Sequence, residues 1–332
     1  MNTPLAPSAP PALIAIDWGS SNLRVALLDT QGQVLGRRES AAGVFAVQDG
    51  DFASALWPLC ADWVALHQVP MLACGMIGSR QGLLEVPYVP CPAGAADLAR
   101  MLGRAELQAP CNTAQAQAHM LYIVPGLQTG SLASGHDVLR GEETQLLGIP
   151  EATGSLFVLP GTHSKWIAHS EAAGPDRRVE SFQTYMTGEL FDLLRKHSSL
   201  ARVMATTTNP AQDSPQAFAQ GVAEARHGAL EDLLFRVRTA GLLGRLPAPA
   251  LADYLSGLLI GAEVKAGLRR FDNKLTDGPI SVLGTAQLTQ RYADALAAFG
   301  RSAQQLSGDA VFSGLMMIAQ KAGLLNADTT TP

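Results

Sequence analysis

An aspartate, a glycine and two serines interrupt the apolar stretch "LIAIDWGSSNLRVALLD" near the start of the chain. Asp17 ends the first apolar run, and Arg24 lies in the second. Between them Gly19 allows a close backbone approach, while Ser20 and Ser21 supply hydroxyl groups. Turn N–H groups and hydroxyls bind phosphate oxygens, and a nearby carboxylate can hold Mg²⁺ through water. The stretch predicts either a phosphate-binding turn or an ordinary hairpin with a Gly-Ser turn.

A second stretch, "GSLFVLPGTHSKWIAHSE", has the same order of apolar run, glycine-hydroxyl turn and apolar run. When the two glycines are aligned, Thr162 falls on Ser20 and Trp166 falls on Arg24. The similarity indicates either a chance match or a duplicated α/β domain with one such hairpin in each half. Two hairpins facing each other across a cleft would hold one phosphate chain from both sides.

Other nucleotide and hydrolase sites do not fit these turns. The chain contains no G-x-x-x-x-G-K-[ST] P-loop, and no G-x-G-x-x-G opens a helix after a strand. "GTHSKW" lacks the G-x-S-x-G pattern of a nucleophile elbow. The motifs therefore support neither a P-loop enzyme nor a dinucleotide-binding fold, and they disfavour Ser/His/Asp hydrolysis.

The composition is that of a globular protein without a basic nucleic-acid-binding face. Among 332 residues, 47% are hydrophobic and 16% charged, and the net charge of -5 shows no basic cluster. No apolar run reaches the roughly 20 residues that span a bilayer. Four separated cysteines, of which Cys111 is the last, lack metal-ligand spacing and are expected to be reduced thiols of a cytoplasmic protein.

The elements that must position the turns alternate between strands and helices. The first half indicates three strands, a helix at "FASALWPLCADWVALH", a buried strand at "VPMLACGMIGS" and a helix start at "GEETQLLGI". After the second hairpin, helical patterns include "TGELFDLLRKHSSLARVM", "AFAQGVAEARHGALEDLLFRVRTA" and "LADYLSGLLIGAEVKAGLRRF", and a strand "PISVLGT" follows them. We expect a flexible tail at 1–11 and two α/β domains at 12–150 and 151–332, with a cleft between them and the last helix free to pack on the first.

Several motifs together mark a resemblance. "DWGSSNLR", "LPGTHSKW" and "SVLGTAQL" are similar to the first phosphate, second phosphate and adenosine motifs of the sugar kinase, actin and heat-shock ATPase superfamily. The combination of "GMIGS", "RGEETQLLG", "PGTHSKW", "TGEL" and "GTAQLTQRY" resembles, more narrowly, the 2-dehydro-3-deoxygalactonokinases. The likeness covers the chain from about Ala12 to the last helix. It implies two ribonuclease H-like (actin-like ATPase) domains, each a mixed sheet flanked by helices, with the active site in the cleft.

The resemblance implies a nucleotide site made by the two turns, their neighbours and the adenosine motif. Its candidate ATP- and phosphate-binding residues are Asp17, Gly19, Ser20, Ser21, Arg24, Gly161, Thr162, His163, Lys165, Gly284 and Thr285. Asp17 would anchor Mg²⁺, usually through water. Many superfamily members carry a second aspartate where Leu159 and Pro160 stand here, so metal binding would rest on Asp17, with Glu142 or Glu143 as helpers.

Each of these residues also has an ordinary structural interpretation. Asp17 could bond its own turn, Lys165 could be a solvated surface lysine, and His163 could be a hydrogen-bonded structural histidine. The adenosine motif could be a plain strand-to-helix turn. "LSGLLIGAEV", with its small residues, is interpreted as scaffold.

Transfer of a γ-phosphoryl group to a sugar hydroxyl needs a group that accepts the hydroxyl proton. "GEETQ" lies where sugar kinases of the superfamily place an acidic residue. Glu143 is the first choice for the base and Glu142 the second, although either could simply cap a helix start. An anionic sugar acid also requires cations or backbone donors. The candidates are Gly78, Ser79, Arg80 and Arg140, of which Arg80 is equally typical of a solvated loop.

These expectations combine into one enzyme and its rivals. The resemblance implies a cytoplasmic kinase that uses ATP and Mg²⁺ to phosphorylate the terminal hydroxyl of 2-dehydro-3-deoxy-D-galactonate in galactonate catabolism. It would bind no nucleic acid or membrane, and a homodimer is allowed. The alternatives are a kinase of the same fold acting on the gluconate-derived epimer, and an ATP-binding regulatory protein without catalysis.

Overall fold

The computed structural model describes residues 9–108, 118–131, 135–149, 154–170, 176–204, 214–307 and 310–326. The chain forms two compact units. Unit 1 comprises Met1–Glu151, Ala172–Glu180 and Asp309–Pro332, and unit 2 comprises Ala152–Glu171 and Ser181–Gly308.

The main sheet of unit 1 has six strands in the order β3-β2-β1-β4-β8-β7. The strands are β1 Pro11–Trp18, β2 Leu23–Asp29, β3 Val34–Ser40, β4 Met71–Gly75, β7 Gly103–Gln108 and β8 Ala118–Ile123. The first three are antiparallel neighbours, while β1, β4 and β8 run parallel. β1 is apolar on both faces because it is covered on both sides, as central parallel strands usually are. The carboxyl ends of β1 and β4 therefore lie at one edge of the sheet.

In its described residues, unit 1 also contains four α-helices and two smaller groups of strands. The helices are α1 Phe52–His67, α2 Ala95–Arg100, α3 Glu142–Leu147 and α10 Val311–Lys321. A three-stranded sheet contains β5 Val89–Pro90, β9 Leu127–Ser131 and β10 Gly135–Leu139. β6 Ala93–Gly94 pairs with Arg178 and Val179.

Unit 2 repeats the strand order of unit 1. Its sheet follows the order β15-β14-β11-β12-β13, with strands β11 Leu156–Leu159, β12 Ser164–His169, β13 Arg178–Tyr185, β14 Ile280–Gly284 and β15 Ala303–Ser307. β11 and β12 form an antiparallel hairpin, and β11, β14 and β15 run parallel. The described helices are α4 Thr187–His197, α5 Ala201–Met204, α6 Pro215–His227, α7 Leu230–Leu242, α8 Ala250–Arg270 and α9 Ala286–Ala298.

Each sheet thus starts with a hairpin at its centre, adds a third strand outside the hairpin and continues with parallel strands on the other side. In unit 1 the antiparallel strand β7 ends that side. This repetition confirms the predicted α/β class with two mixed sheets flanked by helices. The aligned turns are not quite equivalent, however. Asp17 pairs with Arg24, whereas Leu159 pairs with Lys165. The alignment of Trp166 with Arg24 was wrong by one position, because the second hairpin is one residue shorter.

Two predicted helical stretches are broken in the structure. "TGELFDLLRKHSSLARVM" divides into α4 and α5, because the extended backbone of Ser198 ends α4 and its hydroxyl bonds Leu194 O at 2.5 Å. "AFAQGVAEARHGALEDLLFRVRTA" divides at Gly228, whose ψ of 165° is extended. Short hydrogen-bonding residues and glycine commonly end helices in this way. The short strands β5, β6, β9 and β10 lack the long apolar patterns on which the sequence-based prediction relied.

The described part of the segment 172–180, which belongs to unit 1, contains a buried arginine. Arg177 is 1% exposed and donates from Nη1 to Leu146 O at 3.2 Å and Ile149 O at 2.5 Å. It thereby satisfies carbonyls left over at the end of α3. The predicted boundary at 150/151 lies next to Glu151, where the first segment of unit 1 ends. Unit 1 also includes this segment and the last helix, which was expected to be free to pack on the first domain.

Three cysteines lie in the described part of the chain, and all three are free thiols. Cys60 and Cys74 are buried and Cys91 is half-buried, while Cys111 lies outside the described residues. Among the described helices, none has the length and apolar composition needed to cross a membrane.

The last helix packs on α3 through two glycines. A Cβ added to Gly148 would lie 1.8 Å from Ala310 O, and one added to Gly314 would lie 1.9 Å from Thr144 O. The backbones of α3 and α10 are therefore so close at Gly148 and Gly314 that no larger residue fits at either position without a shift.

We expect Gly314→Ala to destabilise the protein by about 1 to 3 kcal/mol, because the added methyl group overpacks this contact. Ser313→Ala, at the neighbouring exposed position, is the matched control and should change stability by less than about 0.5 kcal/mol. Urea unfolding measures both. Equal stability of the two variants would contradict the close packing of α10 on α3.

Candidate functional site

The first turn, residues 19–22, connects β1 and β2 and is closed by Gly19 N–H donating to Asn22 O at 2.9 Å. The carbonyls of this turn accept hydrogen bonds from the loop that follows β3. Val44 N–H donates to Gly19 O at 2.9 Å, and Phe45 N–H donates to Ser20 O at 3.2 Å. Gly43 makes this approach possible, since a Cβ there would lie 2.3 Å from Ser20 O.

The packing of this loop decides which polar groups the first turn can offer to a ligand. Its carbonyls are occupied, whereas no described residue accepts a hydrogen bond from the N–H of Ser20 or Ser21. Backbone N–H groups arranged in a turn form an anion-binding concavity. The first turn is thus built to donate rather than to accept.

Asp17 lies beside this turn at the end of β1 and is held by an arginine. Arg24, its partner on β2, donates from Nε to Asp17 Oδ2 at 2.9 Å and forms an ion pair through Nη2. The Asp17 side chain keeps 13% of its surface exposed. On its other side lies Cys74, with Sγ 4.0 Å from Oδ1. Burial raises the Cys74 thiol pKa well above its usual value, with the Asp17 charge as a further cause, so the thiol is a neutral neighbour.

α3 places Glu143 close to the end of β4. Gly141, with φ 107°, precedes the helix, and a Cβ there would lie 3.3 Å from the Cα of Gly75. Glu143 is fully buried; it accepts hydrogen bonds from Gly141 N–H at 2.7 Å and from Thr144 Oγ1 at 2.9 Å. Both glycines have positive φ, a backbone conformation that favours glycine.

The surroundings of Glu143 change its acidity. Burial, followed by the charge of Glu142, raises the pKa of its carboxyl to about 7, and the hydrogen bonds from Thr144 and Gly141 limit this rise. A carboxyl that titrates near neutrality suits proton transfer, because a general base works best with a pKa near the operating pH. Glu142 is half-buried and accepts from Arg140 N–H at 3.0 Å.

Arg140, directly before these carboxylates, is stacked and only partly hydrogen-bonded. Its guanidinium lies 4.4 Å from the ring centroid of Tyr88 and donates from Nη2 to Val86 O at 2.7 Å. Nε and Nη1 are buried and have no hydrogen-bond partner among the described residues. Gly78 makes room for this group, since a Cβ there would lie 2.8 Å from Arg140 Nη1. The structure therefore brings Gly78 and Arg140 together.

The other two predicted substrate residues are placed differently. Ser79 is buried and its hydroxyl donates to Met76 O at 2.7 Å. The Arg80 side chain is 80% exposed and pairs with Glu85 at 3.3 Å. Ser79 therefore supports its own loop, and Arg80 lies at the surface.

The second turn, residues 160–163, connects β11 and β12 in unit 2. Glu189 N–H donates to Thr162 O at 3.0 Å, and Gly188 packs so closely that a Cβ would lie 2.4 Å from Gly161 O. No described residue accepts from the N–H of Thr162 or His163. α4 therefore supports the second turn from behind, as the loop at Gly43 supports the first.

The side chains of the second turn differ in exposure. His163 Nε2 lies 2.5 Å from Glu189 Oε2, and the two side chains are 50% and 36% exposed. Lys165 is buried instead of solvated, and its Nζ donates to Thr184 Oγ1 at 2.7 Å. Lys165 therefore places a cation inside the sheet edge next to the turn.

A cavity of about 330 Å³ adjoins the second turn within unit 2. The turn, α4, α8 and α9 line it, with Gly161, Thr187, Gly188, Phe191, Asp253, Ser256, Leu259, Leu288, Arg291 and Tyr292 among the lining residues. Its volume falls in the range of small-molecule pockets, which are mostly apolar with a few polar groups. An Asp253 and Arg291 ion pair lies in its wall.

The predicted adenosine residues lie next to this cavity. Gly284 ends β14, and a Cβ there would contact Pro160 at 3.8 Å. Thr285 caps α9 by accepting from Leu288 N–H. β11 and β14 are parallel neighbours, so the second turn and the adenosine motif leave the sheet at the same edge. In open α/β sheets ligands bind at the carboxyl ends of strands.

The lining residues of α4 and α8 were not predicted as binding residues. "TGEL" was quoted only for its resemblance, and "LSGLLIGAEV" was interpreted as scaffold. The signal was present in two of their small residues, Gly188 and Ser256, because small side chains leave room for a ligand. Sequence alone does not show which face of α8 those residues occupy.

A magnesium site fits Asp17 only as a single anchor. No cluster of three or more His, Cys, Asp or Glu side chains that could bind a metal occurs among the described residues. Mg²⁺ usually keeps several waters and takes one or two carboxylates together with substrate phosphates. One partly exposed carboxylate beside a phosphate-binding turn meets that requirement.

Comparison with known proteins identifies the class and then the family. The family model described as 2-keto-3-deoxy-galactonokinase matches residues 17–318. A 2-dehydro-3-deoxygalactonokinase of Escherichia coli (strain K12) is 36% identical over 309 residues, which cover 92% of this chain and 97% of the relative. A relative from Rhizobium meliloti (strain 1021), named for the same activity, is 35% identical over 312 residues, 92% of this chain and 96% of its own.

A solved structure agrees with these sequences. A crystal structure from Sinorhizobium meliloti, titled as a 2-dehydro-3-deoxygalactonokinase protein, superposes with a TM-score of 0.80 at 34% identity and covers 93% of this chain and 98% of its own. The chain is a sugar kinase, a phosphotransferase with an alcohol acceptor. It belongs to the 2-keto-3-deoxy-galactonokinase family, and the resemblance predicted from the motifs is confirmed.

The raised pKa of Glu143 predicts a pH-dependent stability. The folded state holds the proton more tightly than the unfolded state, so this stabilisation is present below about pH 4.5 and is lost as pH rises through about 7. Replacing Glu143 by Gln removes the titration. We expect the stability of Glu143→Gln relative to the native protein to increase by about 2 kcal/mol between pH 5 and pH 8.

Urea unfolding of both proteins at the two pH values measures this difference. Glu85→Gln, which removes an exposed carboxylate, is the control. A stability difference that is the same at pH 5 and pH 8 would show that Glu143 ionises normally.

Proposed function

We propose that the chain phosphorylates the terminal (6-) hydroxyl of 2-dehydro-3-deoxy-D-galactonate with ATP, giving the 6-phosphate and ADP in galactonate catabolism. The observation that carries the proposal is the family match over residues 17–318, which includes both turns and α3. The relatives carry the name of this activity and are matched over nearly their whole length. A cytoplasmic location and a homodimer stay predictions.

The first turn would bind phosphate and magnesium. The N–H groups and hydroxyls of Ser20 and Ser21 would donate to phosphate oxygens, with Gly19 allowing close approach. Asp17 would hold Mg²⁺ through water, and the Arg24 ion pair would fix the direction of its carboxylate. Bound Mg²⁺ would neutralise phosphate charge.

The second turn would bind phosphate through the N–H groups of Thr162 and His163. Lys165 would add positive charge from within the sheet, where its bond to Thr184 fixes the ammonium group. The His163 ring, paired with Glu189, would help to position the turn rather than carry out chemistry. Backbone donors suit this task, because they are already oriented before the ligand arrives.

The nucleoside would occupy the cavity of unit 2. Gly284 and Thr285 would border the adenosine at the start of α9, and Leu259 and Leu288 would supply apolar contact. The cavity of about 330 Å³ is large enough for a purine and most of its ribose.

Glu143 would accept the proton of the attacking hydroxyl. With a pKa of about 7 it is partly ionised at neutral pH, and its bonds from Gly141 and Thr144 fix both oxygens. Because the side chain is fully buried, substrate access requires a shift of the covering groups. Closure around a substrate is common in kinases and excludes the water that would hydrolyse ATP.

Arg140 would recognise the carboxylate of the sugar acid. Its buried Nε and Nη1 have no described acceptor, and an unpaired buried donor costs free energy that an anionic ligand would recover. The Tyr88 ring and Val86 carbonyl hold the guanidinium in place. The missing side chain of Gly78 leaves space for Nη1 at this position.

Replacing Glu143 by Gln tests the base. The amide keeps the shape of the side chain but cannot accept a proton, so turnover should fall by about 100-fold or more. Affinity for ADP should stay within about twofold. In the native enzyme, kcat should fall about tenfold per pH unit below pH 7 as the carboxyl protonates. Full turnover by Glu143→Gln would exclude this role and turn attention to Glu142.

A substrate panel tests the function as a whole. ATP consumption is measured with Mg²⁺ and 2-dehydro-3-deoxygalactonate, its gluconate epimer, galactonate or no sugar. We expect turnover with the first compound alone. Equal rates on both epimers would support the broader sugar-acid kinase, and the absence of sugar-dependent turnover on all of them would favour an ATP-binding regulatory protein.

A further inference from the structure

A buried carboxylate lies beneath the second turn, on α8. Glu263 is 3% exposed; its Oε1 accepts from Trp166 Nε1 at 2.8 Å, and its Oε2 accepts from Tyr292 Oη at 2.7 Å. A buried carboxylate is costly unless several donors surround it. Burial raises the pKa of Glu263, and hydrogen bonds from Thr187, Tyr292, Trp166 and Ser164 oppose that rise. No step of the proposed reaction uses this group.

The hydrogen bonds around Glu263 have a defined direction. Tyr292 Oη also lies 2.8 Å from Ser164 Oγ. A tyrosine has one hydroxyl hydrogen, which Tyr292 donates to Glu263, so Ser164 must donate to Tyr292. Ser164 Oγ in turn accepts from Gly161 N–H at 3.4 Å. The chain of bonds therefore leads from the second turn down to Glu263.

The Glu263 carboxylate also contacts two residues that line the nucleotide cavity, Tyr292 on α9 and Thr187 at the start of α4. Gly161 of the second turn lines the cavity as well. Gly188, the residue after Thr187, packs against the second turn. One buried side chain thus connects the turn, α4 and α9 from below.

We propose that Glu263 is a positioning residue for nucleotide binding, which acts through Tyr292 and Ser164 to set the backbone of the second turn. By engaging Gly161 N–H on the inner side, the chain of bonds leaves the next two N–H groups, those of Thr162 and His163, for phosphate. The inference rests on the proposed function, since it requires that the second turn binds ATP. It assigns a binding-related role to a segment that sequence reasoning interpreted as scaffold.

Glu263→Gln reverses part of the chain. The amide oxygen can still accept from Trp166, but the NH₂ then faces Tyr292 and forces its hydroxyl to donate to Ser164. We expect the Kd for ADP and the KM for ATP to rise about fivefold or more, while the KM for the sugar acid stays within about twofold. Ser164→Ala should also raise the Kd. The Kd of the double variant should be no higher than that of the more affected single variant, because both substitutions act on the same chain of bonds.

Glu224→Gln is the matched control. Glu224 on α6 also accepts from a tyrosine, Tyr254 Oη at 2.8 Å, but lies outside the network under the second turn. Its variant should lower the melting temperature and leave the Kd for ADP within about twofold. Tyr292→Phe keeps the aromatic ring in the core, so its Kd for ADP provides a second test if Glu263→Gln folds poorly.

Isothermal titration of ADP and steady-state kinetics of the full-length protein separate the outcomes. Native protein that binds no ADP would overturn both the proposed function and this inference. If the native protein binds ADP and Glu263→Gln or Tyr292→Phe has the same Kd as the native protein, the inference alone is overturned. The inference would also be overturned if Glu224→Gln, at an equal loss of stability, raised the Kd for ADP as much as Glu263→Gln does. It would likewise be overturned if the effects of Glu263→Gln and Ser164→Ala on the Kd were simply additive.

Discussion

Each glycine-hydroxyl turn is supported from behind by backbone that approaches closer than a side chain would allow. Gly43 brings N–H groups to the carbonyls of the first turn, and Gly188 brings α4 to the second. Because the carbonyls are engaged on that side, the N–H groups of Ser20, Ser21, Thr162 and His163 are left to donate. Strand order, helix placement and the choice of glycine all serve this arrangement of donors.

The repeated sheets carry different chemistry at equivalent places. At the end of β1 an aspartate is held by Arg24, whereas at the end of β11 Leu159 and Pro160 lead into a turn backed by buried polar groups. A carboxylate at the first turn suits a metal-bound phosphate. Ser164, Tyr292 and Glu263 lie behind the second turn, where their proposed role is to position its backbone. The same hairpin frame thus carries different side chains in the two units, since the frame fixes the turn and leaves the neighbouring side chains variable.

Local pattern revealed the elements and the turns because both leave signals within a few residues. β1, β2, α1 and α8 have long apolar patterns, and each turn has its glycine and hydroxyl residues next to one another in the chain. Contacts between distant residues left no such signal. The stacking of Arg140 on Tyr88, the approach of Gly141 to Gly75 and the bonds that join Glu263 to Ser164 each connect segments from different parts of the chain. The burial of Lys165 and Glu143 likewise depends on tertiary packing, so residue type alone suggested a surface lysine and a possible cap.

The most direct test of the account is the backbone amide NMR spectrum of deuterated protein titrated with Mg²⁺ and a non-hydrolysable ATP analogue. The account predicts that the amide signals of Ser20, Ser21, Thr162 and His163 shift strongly on binding, because these N–H groups gain phosphate oxygens as acceptors. The amides of Val44 and Phe45, which already donate to the first turn, should shift less. Saturable binding that moves other signals and leaves those four amides unchanged would contradict the claim that the two turns bind the phosphates.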